Sequence, residues 1–108
     1  LSDFRTQPPE FLTAGNLQID SNSHQVSLDG ESLYLTPKEF ELLRLLVANK
    51  GRAFEREQII EELWGYDYVG NTRTVDVHVR WLREKIEINP SSPKRIITIR
   101  GIGYRFQE

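Results

Sequence analysis

Between Arg73 and Lys85 the chain reads RTVDVHVRWLREK. At about 100° per residue, Val75, Val79, Leu82 and Ile86 fall on one narrow helical stripe, and that stripe must face a core. The opposite side then carries Arg73, Val77, Arg80, Trp81 and Glu84, with Arg83 on one flank and His78 and Lys85 on the other. Burial is already accounted for without Val77 and Trp81. The chain therefore has to fold so that one helix buries its aliphatic line and leaves a tryptophan and a valine outside among arginines, an unusual composition for a surface in contact only with water.

The C-terminal segment IITIRGIGYRF reads as a hairpin, with strands Ile96 to Arg100 and Tyr104 to Phe106 joined through Gly101-Ile102-Gly103. Alternation points Thr98 and Arg100 to one side and Ile97 and Ile99 to the other. Gly101 and Gly103 permit positive φ and a close approach of backbone to a phosphate. A basic helix beside a hairpin with an arginine at its tip suits a DNA duplex: apolar groups can meet thymine methyls in the major groove, arginines can pair with guanine edges or phosphates, and a tip arginine gains from the negative potential of a narrow minor groove. The alternative is an ordinary solvated helix with Trp81 packed on a neighbouring loop, and a turn that simply needs glycine.

Upstream, Leu1 to Glu10 is polar, contains Pro8-Pro9 and reads as the remnant of an interdomain linker. From Phe11, short alternating runs (Leu17 and Ile19, Val26 and Leu28, Leu33 and Leu35) are punctuated by Asn16, Ser21-Asn22-Ser23 and Asp29-Gly30, predicting a small antiparallel sheet over 11–35 with one buried face. A three-helix region over 36–89 follows. Thr36 can cap the first helix, Pro37 suits its first position and Glu39 can close a capping box. Phe40, Leu43, Leu46 and Val47 supply its stripe and Gly51 its end. Ala53-Phe54 reads as an extended link. A second helix runs from about Glu55 to Trp64 with Ile59, Ile60 and Leu63 inward, although neither Phe54 nor Glu55 is a good cap. The loop WGYDYVGN leads to Asn71 or Thr72, either able to cap a third helix over 72–88. The closing hairpin occupies 95–107.

The formal net charge is −2 over 108 residues. Residues 1–69 hold six basic against twelve acidic side chains, and residues 70–108 eight against four. Polyanion binding depends on the local field, so a polarised domain can bind DNA with an acidic total, though such asymmetry can also be incidental. The chain has no cysteine, which removes disulfides, thiolate nucleophiles and cysteine zinc sites and fits a reducing cytosol. No apolar run approaches a membrane span and no signal peptide is visible. The start at Leu1 reads as that of a fragment.

Taken together, TPKEFELLRLL, REQIIEELWG, RTVDVHVRWLREKIE and IITIRGIGYRF occur in an order and spacing that resembles the DNA-binding domain of OmpR/PhoB-type response regulators, over about Leu17 to Phe106. The resemblance implies an α+β fold: a winged helix-turn-helix of three helices plus a C-terminal hairpin wing, preceded by a four-stranded antiparallel sheet. It implies sequence-specific duplex binding by the output domain of a cytoplasmic two-component regulator. The third helix would lie in the major groove and Arg100, supported by Thr98, in the minor groove.

Carried over residue by residue, the resemblance assigns Arg73, Thr74, His78, Arg80 and Arg83 to phosphates or the groove, and Trp64 and Tyr104 to further backbone contacts. Val77, Trp81 and Gly101 complete the expected DNA-contacting set. It also implies binding to tandem direct repeats, monomeric off DNA and head-to-tail on it, under control of a receiver domain that lies outside this chain. The loop from Gly65 to Asn71, with Tyr66, Asp67 and Tyr68, matches a segment that can face RNA polymerase; Tyr66 and Tyr68 can equally pack the loop down. Many members have arginine where Trp81 stands, so contact with a sugar or a thymine methyl is expected there instead of guanine readout. Asp76, negative near a phosphate surface, is expected to hold a neighbouring arginine in place.

Other chemistries find no site. Gly101-Ile102-Gly103 lacks the third glycine and the following helix of a dinucleotide loop. His24 and His78 are far apart, and HExxH, Walker-type and nucleophile-elbow patterns are absent. No enzyme activity, metal or cofactor is expected. The remaining rival is a winged-helix domain whose main contacts are with protein.

Overall fold

Alternating apolar residues in the first 25 described positions make a sheet, and the computed structural model, which describes residues 11–107, places it first in the chain. Strands β1 (Phe11–Ala14), β2 (Leu17–Asp20), β3 (Gln25–Leu28) and β4 (Glu31–Leu33) form an antiparallel meander in that order. Leu17, Ile19 and Val26 are buried while Gln18 and Gln25 face out, as a period of two requires. Leu28 pairs with Glu31 across Asp29-Gly30. Both turn residues have left-handed φ, 56° and 85°, the pattern of a type I′ hairpin that matches the twist of its strands.

Helix α1 (Pro37–Ala48) starts as its sequence predicts. The Glu39 N–H donates to Thr36 Oγ1 at 3.3 Å, and the Glu39 carboxylate accepts from the Thr36 N–H at 2.8 Å. Its buried apolar side chains are Phe40, Leu42, Leu43, Leu46 and Val47. Leu42 widens the expected stripe because α1 packs against the first sheet and the other helices at once. The helix ends at Ala48, ahead of Gly51. Asn49 follows as the cap, and its side-chain Nδ2 donates to the Leu45 carbonyl at 2.8 Å.

The link at Ala53-Phe54 is a strand, β5 (Ala53–Glu55), and joins the wing. With β6 (Ile96–Ile99) and β7 (Gly103–Phe106) it makes a three-stranded sheet in the order β5-β7-β6, so the wing is wider than a hairpin. A Cβ at Gly103 would stand 2.0 Å from the Phe54 carbonyl oxygen. The close approach that Gly103 permits is therefore to β5 and not to a phosphate. Strand β6 stops at Ile99, leaving Arg100, Gly101 and Ile102 as the loop.

Helix α2 (Arg56–Leu63) begins after Glu55, whose N–H donates to Gln58 Oε1 at 2.9 Å. Gln58 thus makes good the weak cap. Ile59 is fully buried, and Ile60 and Leu63 partly. Helix α3 (Arg73–Ile86) is entered through Asn71, whose side-chain oxygen accepts the Arg73 N–H at 2.9 Å, while Thr72 occupies the cap position without a side-chain bond.

The third helix is two residues shorter than expected at its C-terminal end, and the cause is Glu87. Its carboxylate accepts from the N–H groups of Lys94, Arg95 and Ile96 at 3.0, 2.9 and 2.9 Å. That turns the chain out of the helix at Glu87 and leaves Ile88 exposed. Val75, Val79, Leu82 and Ile86 are buried along the predicted line, in one core with Phe40, Leu46, Phe54, Ile96 and Phe106. No described helix is long and apolar enough to cross a membrane.

Candidate nucleic-acid interface

Once α3 buries its aliphatic line, its outer face is fixed. Trp81 is 43% exposed and Val77 41%. Arg73 is exposed, and the Arg80 side chain is 81% exposed with only a 3.9 Å ion pair to Glu84, itself largely in solvent. Such a pair contributes little and exchanges readily for another anion.

Trp81 does not stand alone. Its ring meets the His78 imidazole edge-on at 5.0 Å, and His78 meets Trp64 in the same way at 5.2 Å. Trp64, at the end of α2, touches Tyr68 at 6.1 Å and lies under Lys38 Nζ at 5.4 Å. Lys38 is anchored by donating to the Leu63 carbonyl. His78 Nδ1 lies 2.7 Å from the Thr74 carbonyl. A carbonyl only accepts, so Nδ1 carries the hydrogen and Nε2 is the nitrogen left for other partners. A row of rings therefore runs from the loop after α2 to the outer face of α3. In that loop Tyr68 packs down, whereas Tyr66 and Val69 are exposed, as is Asp67.

The wing is fastened to α3 through Arg83. Its Nε and Nη2 donate to the Ile96 carbonyl at 3.1 and 2.8 Å, and Nη2 also to Thr98 Oγ1 at 2.8 Å. Arg83, expected at a phosphate, thus has these donors committed within the fold. Arg95 secures the other end of the sheet by donating to the Ile86 carbonyl at 3.3 Å and to Asn16 Oδ1, which ties wing, helix and first sheet together. Arg100 and Gly101 are exposed in the β6–β7 loop.

Tyr104 is only 4% exposed, and its ring lies beside the guanidinium groups of Arg56 and Arg83. Its hydroxyl donates to Asp76 Oδ1 at 2.6 Å, and Arg56 Nε donates to the same oxygen at 2.7 Å. Burial, then the Asp76 carboxylate, push the Tyr104 phenol above its ordinary pKa, so it stays a neutral donor. Asp76 holds Arg56, twenty residues away on α2; sequence reasoning expected a neighbouring arginine but could not name it.

The buried Glu39 was also legible only as half of a capping box. Its Oε1 accepts from Lys85 Nζ at 2.7 Å, joining α1 to α3. Burial raises its pKa, but the Lys85 hydrogen bond and the Thr36 N–H outweigh that and hold it below the usual carboxylate value. Among the described residues no cluster of three side chains suited to a metal ion occurs.

A family model described as "Transcriptional regulatory protein, C terminal" matches residues 30–106. The alkaline phosphatase synthesis transcriptional regulatory protein SphR of Synechococcus elongatus is 46% identical over 99 residues, covering 92% of this chain and 38% of that protein. The chain spans 33% to 48% of the length of the curated relatives it matches. Among solved structures, the response regulator DrrB of Thermotoga maritima, an OmpR/PhoB homolog, superposes with a TM-score of 0.88 at 34% identity, covering 97% of this chain and 47% of that one. The Klebsiella pneumoniae RstA DNA-binding domain, crystallised in complex with the RstA box, superposes with a TM-score of 0.83 at 35% identity, covering 92% and 98%.

Proposed function

The chain belongs to the family of transcriptional regulatory protein C-terminal domains, the DNA-binding domains of OmpR/PhoB-type response regulators, and on that premise we propose how it reads DNA. Helix α3 enters the major groove. Arg73 and Arg80 neutralise phosphates, with Thr74, His78 Nε2 and Trp64 contributing polar and ring contacts at the groove edge. Trp81 and Val77 supply the apolar contact to thymine methyls or sugars. Arg100, at the wing loop beside Gly101, enters the minor groove. Arg83, Thr98 and Tyr104 hold wing and helix in register for that grip, whatever phosphate contact they add.

One observation carries this reading: the outward pair Val77 and Trp81 on a helix whose core stripe is already complete, with a released arginine beside it. The RstA domain, similar over nearly its whole length, has been crystallised on its own DNA box, which supports the same use of this surface here.

The length by which the relatives exceed this chain is room for a receiver domain, with Leu1 to Glu10 as its linker; those ten residues lie outside the described part of the chain. Full-length protein then acts in the cytoplasm, binding tandem direct repeats head-to-tail while the isolated domain is monomeric off DNA. The exposed Tyr66 and Asp67 suit the loop to RNA polymerase, whereas Tyr68 serves the domain's own packing. Selection of bound sites from random duplexes tests the reading. A recurrent motif in two copies at fixed spacing is expected, and recovery of no enriched sequence would overturn it.

A further inference from the structure

Asp76 is the acidic residue in the first turn of α3, the helix assigned above to the groove. A carboxylate beside a polyanion is repelled, so its position needs a reason. Its Oδ1 takes Arg56 Nε from α2 at 2.7 Å and the Tyr104 hydroxyl from β7 at 2.6 Å. The Arg56 Nη2 reaches the same hydroxyl at 3.5 Å. The Arg56 and Asp76 side chains retain 31% and 41% of their exposure, so solvent or a ligand can reach both.

We propose that Asp76 withholds Arg56 from DNA phosphates and so limits sequence-independent duplex affinity, an inference that rests on the DNA-reading proposal above. A free guanidinium at the seam of α2, α3 and the wing would pair with any phosphate within reach. Phosphates are alike in every sequence, so that contact would strengthen random and target binding by the same factor and make the domain hold any duplex more tightly. The charge-assisted bond to Asp76 is short, and the Tyr104 hydroxyl on the same oxygen fixes the direction of the carboxylate. Arg80 provides the contrast on the same helix. Its partner stands 3.9 Å away in solvent and lets it go.

The test uses four proteins (parent, Asp76→Asn, Arg56→Gln and the double variant) titrated with a random-sequence duplex and with a selected site across a salt series. Asp76→Asn is expected to tighten binding to both duplexes by about three- to tenfold, to steepen the slope of log K against log salt by about 0.9 for the one added phosphate contact, and to leave the target-to-random ratio unchanged. In the Arg56→Gln background the same substitution should leave the slope where it was. A steeper slope that survives without Arg56, or weaker random binding by Asp76→Asn, overturns the proposal. Arg56→Gln alone gives an arm independent of how well Asp76→Asn folds: a slope equal to the parent's supports masking, and one shallower by a whole contact refutes it. If the parent binds no duplex at low salt, the DNA reading itself fails; if it binds and these shifts are missing, only the masking fails.

Discussion

The Arg83 guanidinium grips the Ile96 carbonyl with two donors, at 3.1 and 2.8 Å, across the seam between α3 and the first strand of the wing. A hydrogen bond to a charged group contributes about 1.5–3 kcal/mol, and leaving its acceptor unpaired costs a similar amount. Arg83→Ala should therefore lower unfolding free energy by about 1–3 kcal/mol, and Arg83→Lys should recover little, because an ammonium has no planar fork. Denaturant melts of the three proteins check this; equal midpoints would show that the tether carries no stability.

Arg80 makes the opposite case. Its side chain is 81% exposed and its ion pair is long. Arg80→Ala should leave stability within about 0.5 kcal/mol of the parent while weakening target and random duplexes by the same factor, since a phosphate carries no sequence. Binding equal to the parent's would remove Arg80 from the contact set.

Trp81 should act on sequence preference. Replacing it by alanine is expected to change the preferred base at one position by about 1–3 kcal/mol. Parallel selections from random duplexes with parent and variant would reveal the change, and an unchanged motif would place Trp81 outside the groove.

The Glu39–Lys85 pair makes a pH prediction. The folded pKa of Glu39 lies below its unfolded value, so the pair's contribution is complete above the unfolded pKa, about 4.3. It disappears as pH falls through the folded pKa, where native Glu39 takes up a proton the unfolded chain already binds. Lys85→Met leaves a buried carboxylate without its cation and should cost about 1–3 kcal/mol at neutral pH, less than for a fully buried pair because Lys85 is partly solvated. The gap between variant and parent should shrink below about pH 4. Thermal melts along a pH series measure it, and a gap independent of pH would mean that the lysine stem matters and its charge does not.

Local chemistry was readable from the chain; contacts between distant segments were not. Thr36, Pro37 and Glu39 announced α1 because a capping box spans four residues, and Val75 to Ile86 announced the inner face of α3 because periodicity is local. Strand β5 escaped notice because three residues cannot show alternation, and its identity depends on Tyr104 and Gly103 lying opposite. The early end of α3 depends on Glu87 reaching N–H groups seven to nine residues on. In the same way, nothing local in the chain tells that Ile96 and Thr98 engage the Arg83 guanidinium or that Asp76 accepts from the Tyr104 hydroxyl. A sequence names the donors at such a surface but not which are already engaged.

The central claim is that the face bearing Trp81 and Arg80 grips a duplex, and a salt series of equilibrium binding to duplex DNA tests it most directly. With Arg73, Arg80 and Arg100 as the cations each domain places on the duplex, log K should fall against log salt with a slope of about −2.7. Undetectable duplex binding at low salt would contradict the account.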